Sequence, residues 1–307
     1  GMALIATSDN FVHLVADRMG LWQFLAVRAL LVLPLAVLFA AATGPLARLR
    51  PRAAWRVVQR SAFHIAALLL YFSALPAVGI SAAAAGLFSA PVWAIVLGAL
   101  ARGETVGPRR VAAGLLGFAG VALVLGLDRT APDPMGLAAV AAGFCYAMGV
   151  IWTRRHCRGE DSVTLAVWQF AGFVLVGGAG LLAVPFLEAA LAGMPGTAFV
   201  TTGWRAMDAT GLALVVGIGL AAIIATGCLA TGYKRGDASL MGLFDYSFLV
   251  WAPLAAWIIW GETPDPRVAL GMGLIAAAGV LAVWSGHRRA RGGARRRAGR
   301  ARGVSTG

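Results

Sequence analysis

Long runs of apolar residues constrain the fold of this chain more than any other feature. Residues 21–42, 111–127, 163–185 and 212–231 are almost free of charged side chains. A helix that crosses a bilayer needs about 20 apolar residues, because each residue advances it by about 1.5 Å. The overall composition, 60% hydrophobic and 13% charged, agrees with lipid as the solvent. We predict an all-α integral membrane protein.

Dividing these runs at glycines, prolines and charge clusters predicts ten helices. They begin near residues 2, 20, 61, 79, 108, 134, 163, 208, 237 and 266. Most of the 26 lysines and arginines fall in alternate connections and in the tail. Cytoplasmic loops are enriched in these residues, so both termini are predicted to lie in the cytoplasm. Topology thus explains the net charge of +13, and no nucleic acid is expected as a partner.

Short motifs recur at a distance of five predicted helices. Trp22-Gln23-Phe24 returns as Trp168-Gln169-Phe170, and Gly86-Leu87-Phe88-Ser89 returns as Gly242-Leu243-Phe244-Asp245. Each copy of the second motif is followed by Gly-Glu-Thr, at 103–105 and 261–263. Equivalent helices separated by an odd number of crossings have opposite orientations, as in the inverted repeats of many transporters. We predict two inverted five-helix repeats, 2–128 and 134–286, and a basic, disordered cytoplasmic tail, 287–307.

The doubled five-helix unit, the Gly-Leu-Phe stretch and the Gly-Glu-Thr ending together resemble the EamA-type branch of the drug/metabolite transporter superfamily, which includes aromatic amino acid exporters. The resemblance implies a multi-pass protein of the bacterial inner membrane that moves a small metabolite by alternating access. Amino acid export is the favoured activity, and a nucleoside, a vitamin or S-adenosylmethionine is an alternative substrate. No ATP-binding P-loop motif is present, so a gradient is expected to drive transport, with a proton as a candidate coupling ion.

An enzyme that acts on a lipid or isoprenoid carrier within the membrane is the alternative from a different class. Such chemistry needs converging catalytic groups, but the sequence has no HExxH or GxSxG motif, and its four histidines are scattered. Three cysteines without CxxC spacing indicate neither a disulfide framework nor a zinc site. We therefore expect no enzymatic activity and no cofactor.

Ionisable residues within predicted spans are candidates for substrate contact, because burying a charge in a membrane is costly. They are Asp9, His13, Arg28, His64 and Asp245. Asp9 and His13 are four residues apart and are predicted to share one helical face, where they would bind a proton or an amine. Alternatively, Asp9 only pairs with Arg28 and His13 lies at the outer interface.

Asp245 replaces Ser89 of the first repeat, and this break in symmetry indicates a specific task. Lining a cavity is the favoured role, and pairing with His64 or Arg28 is the alternative. The remaining candidates for lining a cavity are two glutamines and five aromatic residues: Gln23, Gln169, Tyr71, Phe88, Trp93, Tyr146 and Phe248. Most aromatic side chains in such a protein face lipid or the core. The glycine-rich fifth and tenth helices are expected to serve packing within a monomer or contact between the subunits of a homodimer.

Overall fold

A computed structural model describes residues 1–90, 92–94, 96–97, 108–125, 134–235, 245–263 and 265–281. In these ranges the chain folds into helices joined by short connections. No β-strand occurs in those ranges, so the all-α prediction is confirmed for them. The helices are α1 (Met2–Asp9), α2 (Val12–Ala16), α3 (Leu21–Thr43), α4 (Ala54–Leu87), α5 (Pro108–Leu125), α6 (Pro134–His156), α7 (Ser162–Ala190), α8 (Ala198–Thr201), α9 (Ala209–Arg235), α10 (Phe248–Trp260) and α11 (Pro266–Leu281). Short 3-10 helices occupy Leu46–Leu49 and Asp245–Ser247.

Five helices are long and apolar enough to cross a bilayer: Leu21–Thr43, Ala54–Ala94, Pro134–His156, Ser162–Ala190 and Ala209–Leu229. Shorter apolar helices lie at Met2–Ala16, Ala112–Val124 and Pro266–Leu281. The predicted ninth helix start near 237, the motif residues 242–244 and 103–105, and the tail 287–307 lie outside the described residues.

The long α4 is divided by Gly79, whose backbone (φ 78°, ψ 161°) is not helical. Only glycine adopts such a conformation without strain. The break coincides with the predicted boundary between the third and fourth helices. At 34 residues, an unbroken α4 would be about 51 Å long, well beyond the roughly 30 Å thickness of the hydrocarbon core.

The first predicted helix is interrupted, so α1 and α2 are separate helices. Asn10 is buried at the break, and its side-chain amide donates to the carbonyl oxygens of Ala6, at 2.8 Å, and Ala252, at 3.2 Å. This polar anchor holds the end of α1 against α10. The regular four-residue spacing that placed Asp9 and His13 on one face ends at this point.

Small residues let the helices approach closely. A Cβ atom on Gly177 of α7 would lie 2.8 Å from the backbone of Ala26 in α3, and one on Gly86 of α4 would lie 2.5 Å from the backbone of Ala139 in α6. Among the helix pairs, α3 packs on α7 and α4 packs on α6. These contacts bring residues from both halves of the chain into one core.

The glycine-rich faces of α5 and α11 pack against each other within the chain. A Cβ atom on Gly120 would lie 2.7 Å from the carbonyl oxygen of Gly271, and the reverse distance is also 2.7 Å. Gly114 and Gly273 have no atom within 4 Å of an added Cβ. Gly120 and Gly271 therefore serve packing within the chain, and contact between subunits stays a prediction.

Candidate functional site

A cavity of about 200 Å³ lies among α1, α3, α4, α7 and α9. Its walls combine charged, amide and hydroxyl groups with apolar and aromatic side chains. They are formed by Ile5, Ser8, Asp9, Leu25, Arg28, Ala29, Leu68, Phe72, Gln169, Phe170, Phe173, Ala222 and Thr226. Because these residues come from both halves of the sequence, the cavity lies between the predicted repeats.

Asp9 brings a buried carboxylate to one wall of the cavity. It is the last residue of α1 and is 4% exposed. The hydroxyl of Tyr71, itself 1% exposed, donates to Asp9 Oδ2 at 3.0 Å. A carboxylate has about four acceptor positions, so this hydrogen bond leaves capacity for a ligand.

Arg28 brings a guanidinium group to the same cavity. It lies over two neighbouring aromatic rings, 5.7 Å from the centroid of Phe24 and 5.3 Å from that of Phe72. Its Nε atom is buried and has no hydrogen-bond partner. The charges of Arg28 and Asp9 influence each other, but no ion pair within 4.0 Å joins these two described residues.

Gln169 lines the cavity at a different point, on α7. Its Oε1 atom accepts a 2.7 Å hydrogen bond from Arg60 Nη1. Arg60 lies near the start of α4, so this bond joins α4 to α7 beside the cavity. The sequence prediction for Gln169 named a cavity-lining residue, and Gln169 does line this cavity.

Gln23, the repeat counterpart of Gln169, does not line the cavity. It is fully buried, and it binds the backbone of Arg205 twice: its Nε2 donates to the carbonyl oxygen at 2.8 Å, and its Oε1 accepts from the N–H at 2.9 Å. Both ends of the amide are thus used to hold the connection between α8 and α9. The structure assigns Gln23 to loop anchoring, contrary to its predicted place at the cavity.

His13 is also separated from the cavity and from Asp9. Its Nδ1 lies 2.7 Å from the carbonyl oxygen of Asn10, and its ring packs edge-on against Trp260 at 4.6 Å. Asp9 instead contacts Tyr71. The two side chains predicted to share a face therefore contact different parts of the protein.

The other predicted residues lie outside the cavity, most of them in three separate aromatic contacts. His64 packs edge-on against Tyr146 at 5.5 Å, and Asp245 begins the 3-10 helix that precedes α10. Phe88 packs against Phe248 at 5.3 Å. Trp93 contacts Phe144 and Phe118, at centroid distances of 5.4 and 6.2 Å.

Comparison with known protein families matches two ranges of the chain, close to the two predicted repeats. The model of the EamA-like transporter family matches residues 1–126 and 134–284, which together are most of the sequence. The chain belongs to the EamA-like transporter family. It is accordingly a multi-pass membrane protein that transports small metabolites, and the resemblance seen in the sequence is confirmed.

Curated relatives of this EamA-like chain carry the names of transporters. A riboflavin transporter of Rhizobium johnstonii is 31% identical over 232 residues, 71% of this chain and 70% of that protein. A riboflavin transporter of Vibrio cholerae is 26% identical over 190 residues, 62% of this chain and 57% of that protein. The aromatic amino acid exporter YddG of Ancylobacter novellus is 27% identical over 219 residues, 69% of this chain and 70% of that protein.

A crystal structure with 21% sequence identity matches the fold of the EamA-like chain. The TM-score is 0.62, and the match covers 92% of this chain and 94% of the other.

Several cavity residues of the EamA-like chain were missing from the sequence prediction. Ser8, Phe173 and Thr226 line the cavity but stand alone in apolar runs, without a repeated motif. Its position next to the candidate Asp9 was the one signal in the sequence that could have indicated Ser8 as a cavity residue. Arg60 was counted among the basic residues that set topology, although its spacing of four from His64 indicated a shared helical face.

Proposed function

We infer that the protein exports amino acids by alternating access, with a proton as the candidate coupling ion. One observation carries the substrate class. Asp9 and Arg28 line the same cavity without forming a direct ion pair, and Arg28 Nε has no partner. A zwitterion supplies the two missing partners, since its ammonium group suits Asp9 and its carboxylate suits Arg28.

The rest of the cavity supports a substrate with an apolar or aromatic body. Phe72, Phe170 and Phe173 contribute aromatic surface, and Leu25 and Leu68 contribute aliphatic surface. Pockets for drug-sized ligands usually measure about 300 to 1,000 Å³. The volume of about 200 Å³ favours a smaller solute, of the size of an amino acid.

The proposed architecture is ten helices in two inverted repeats, 2–128 and 134–286, with both termini in the cytoplasm of a bacterial cell. The helix contacts support it, because several of them occur in matching pairs. Helix α1 packs on α9 and α10, while α6, its proposed counterpart, packs on the two parts of α4. Helix α3 packs on α9, while α7 packs on α4.

Transport by purified protein in proteoliposomes tests the substrate class. We expect counterflow of radiolabelled phenylalanine or another amino acid, and its loss in Asp9→Asn and in Arg28→Gln. Asp208→Asn is the matched control, because it neutralises an exposed carboxylate in the connection before α9. Repeating the assay with and without a pH gradient tests proton coupling.

Asp9→Asn and Asp245→Asn together test the role of the acidic residues. Unchanged amino acid transport in both variants would contradict the proposal. Asp245 is not among the residues that line the cavity, so we expect its substitution to affect the rate more than the affinity.

Riboflavin is the second candidate substrate, favoured by the 31% identical relative that carries that name. Riboflavin has neither an ammonium group nor a carboxylate. Its transport would therefore tolerate Asp9→Asn, whereas amino acid transport would not. Competition between unlabelled riboflavin and labelled phenylalanine distinguishes the two.

A further inference from the structure

Arg60 is a half-buried cation one side chain away from the cavity. It lies about 12 Å before the cavity residue Leu68 along α4, at 1.5 Å per residue. Its guanidinium donates to Gln169 Oε1 at 2.7 Å, to the carbonyl oxygen of Leu165 at 3.3 Å and to Thr153 Oγ1 at 3.4 Å. The group thereby joins α4, α6 and α7 on the side of the cavity where α4 begins.

All three acceptors of Arg60 are neutral. The ion pairs among the described residues are Arg18 with Asp208 and Arg48 with Asp161, so no described carboxylate lies within 4.0 Å of Arg60. Buried charges are usually paired, since an isolated one is costly. A guanidinium held only by neutral oxygens is therefore suited to accept a transient anionic partner.

Gln169 stands between this cation and the cavity. It is the residue that both lines the cavity and binds Arg60. Gln23, its counterpart in the first repeat, is fully buried and holds a loop through both ends of its amide. Gln169 is half-buried, and among the described residues its side chain forms one hydrogen bond, the bond to Arg60. Releasing Arg60 therefore costs Gln169 that bond alone.

On the side of Arg60 away from the cavity, hydrogen bonds join α7 to the connection from α3 to α4 and close this end of the protein. Trp168 Nε1 donates to the carbonyl oxygen of Leu49 at 3.1 Å, and Thr164 Oγ1 donates to that of Arg48 at 2.6 Å. Glu160 accepts from the backbone N–H groups of residues 52 and 53. A solute that leaves the cavity toward this end must pass Arg60.

We propose that Arg60 is a second carboxylate-binding position, which the substrate reaches from Arg28 when Gln169 releases the guanidinium. The proposal rests on the proposed transport of amino acids. Only the donor is charged in the bond from Arg60 to Gln169, whereas both partners are charged in a guanidinium–carboxylate pair, which is often bidentate. A substrate carboxylate therefore binds Arg60 more strongly than the amide oxygen of Gln169 does and displaces it. The exchange also breaks a link between α4 and α7, which couples substrate movement to opening of this end.

Gln169→Glu tests the proposal by giving Arg60 a permanent carboxylate partner. The new ion pair blocks the second position and strengthens the link between α4 and α7. We expect counterflow of phenylalanine to fall by roughly tenfold or more, because both partners of the Arg60 pair then carry a charge instead of one. Gln59→Glu is the matched control, because Gln59 is exposed and adjacent to Arg60, and it should transport at the wild-type rate.

Arg60→Gln and the exchanged pair Arg60→Gln/Gln169→Arg complete the experiment. Arg60→Gln removes the second position and is expected to retain binding but lose counterflow. The exchanged pair restores one cation and one amide in contact, and partial recovery of counterflow is expected. A merely structural role for Arg60 would lower the amount of folded protein, measured by size-exclusion chromatography, together with binding and counterflow.

Two outcomes overturn the inference and are distinguishable from failure of the proposed function. Wild-type counterflow in Gln169→Glu would overturn the second position, and so would equal loss of binding and counterflow in folded Arg60→Gln. In either case, amino acid transport by the wild-type protein would still stand. A wild-type protein that neither binds nor transports amino acids overturns both proposals.

Discussion

Replacing Gln23 with methionine tests whether this residue holds a loop or serves the cavity. The side chain is 0% exposed and forms two hydrogen bonds to the backbone of Arg205. Methionine has a similar length and no amide, so Gln23→Met removes both bonds with little change in packing. Each such bond contributes about 0.5 to 1.5 kcal/mol, which predicts a loss of about 1 to 3 kcal/mol in the free energy of unfolding.

The loss should appear as a lower temperature of unfolding in detergent. For a chain of 150 to 250 residues, each kcal/mol corresponds to roughly 2 to 4 °C, and the shift is smaller in a larger chain. For these 307 residues, a decrease of no more than roughly 12 °C is expected. Arg205 is exposed, and water can bind its freed backbone groups, which favours the lower half of this range. Gln59→Met is the control, because an exposed substitution changes stability by less than about 0.5 kcal/mol.

Substrate binding below the unfolding temperature gives a second measurement on the same variant. Gln23 lies outside the cavity, so phenylalanine binding to folded Gln23→Met should equal that of the wild type. An unfolding temperature equal to that of Gln59→Met, or loss of binding in the folded protein, would refute the assignment of Gln23 to loop anchoring.

Three further substitutions probe packing, the backbone and a surface charge, each followed by thermal unfolding. Gly180→Ala places a Cβ atom 1.9 Å from the ring of Trp22 and should cost about 1 to 3 kcal/mol, as overpacking does; no change would mean that α3 and α7 are less close than described. Gly79→Ala forces a side chain into φ 78°, ψ 161°, which should cost about 1 to 3 kcal/mol; a stable variant would show that α4 has no such break. Asp208→Asn removes an exposed ion pair of 3.8 Å with Arg18 but keeps a side-chain oxygen that can accept from the Gly211 N–H, so it should cost less than about 1 kcal/mol; a larger loss would mean that the amide does not replace the carboxylate in that bond.

The positions of the helices followed from the sequence because lipid imposes a strong pattern. Eight predicted starts lie within two residues of a described helix boundary or break, as at 79, where α4 bends, and 134, where α6 begins. The third start was placed near 61, whereas α4 begins at Ala54. The difference arises because residues 54–60 are partly polar and basic, although they continue the same helix.

The site was predicted less well because hydropathy does not show which way a side chain points. Asp9, Arg28, Tyr71 and Gln169 were chosen as polar or aromatic groups inside apolar spans, and the structure brings all four to or beside one cavity. His13 was placed with Asp9 on the assumption of a regular helix. The assumption failed at Asn10, whose side chain binds the carbonyl oxygens of Ala6 and Ala252 and ends α1, and the second of these contacts is 242 residues away in sequence.

The contacts of Trp22 and Gln23 have a consequence for the order of events during synthesis. Their partners, Val200 and Arg205, follow 178 and 182 residues later. At about 5 to 20 residues per second, the ribosome needs roughly 10 to 40 seconds to reach them. Throughout that interval, the indole N–H and the glutamine amide of α3 lack their final partners. Both groups are then expected to form temporary hydrogen bonds with other molecules. Insertion factors, or water held at the surface of the nascent bundle, have to accommodate these groups until the second half of the chain emerges.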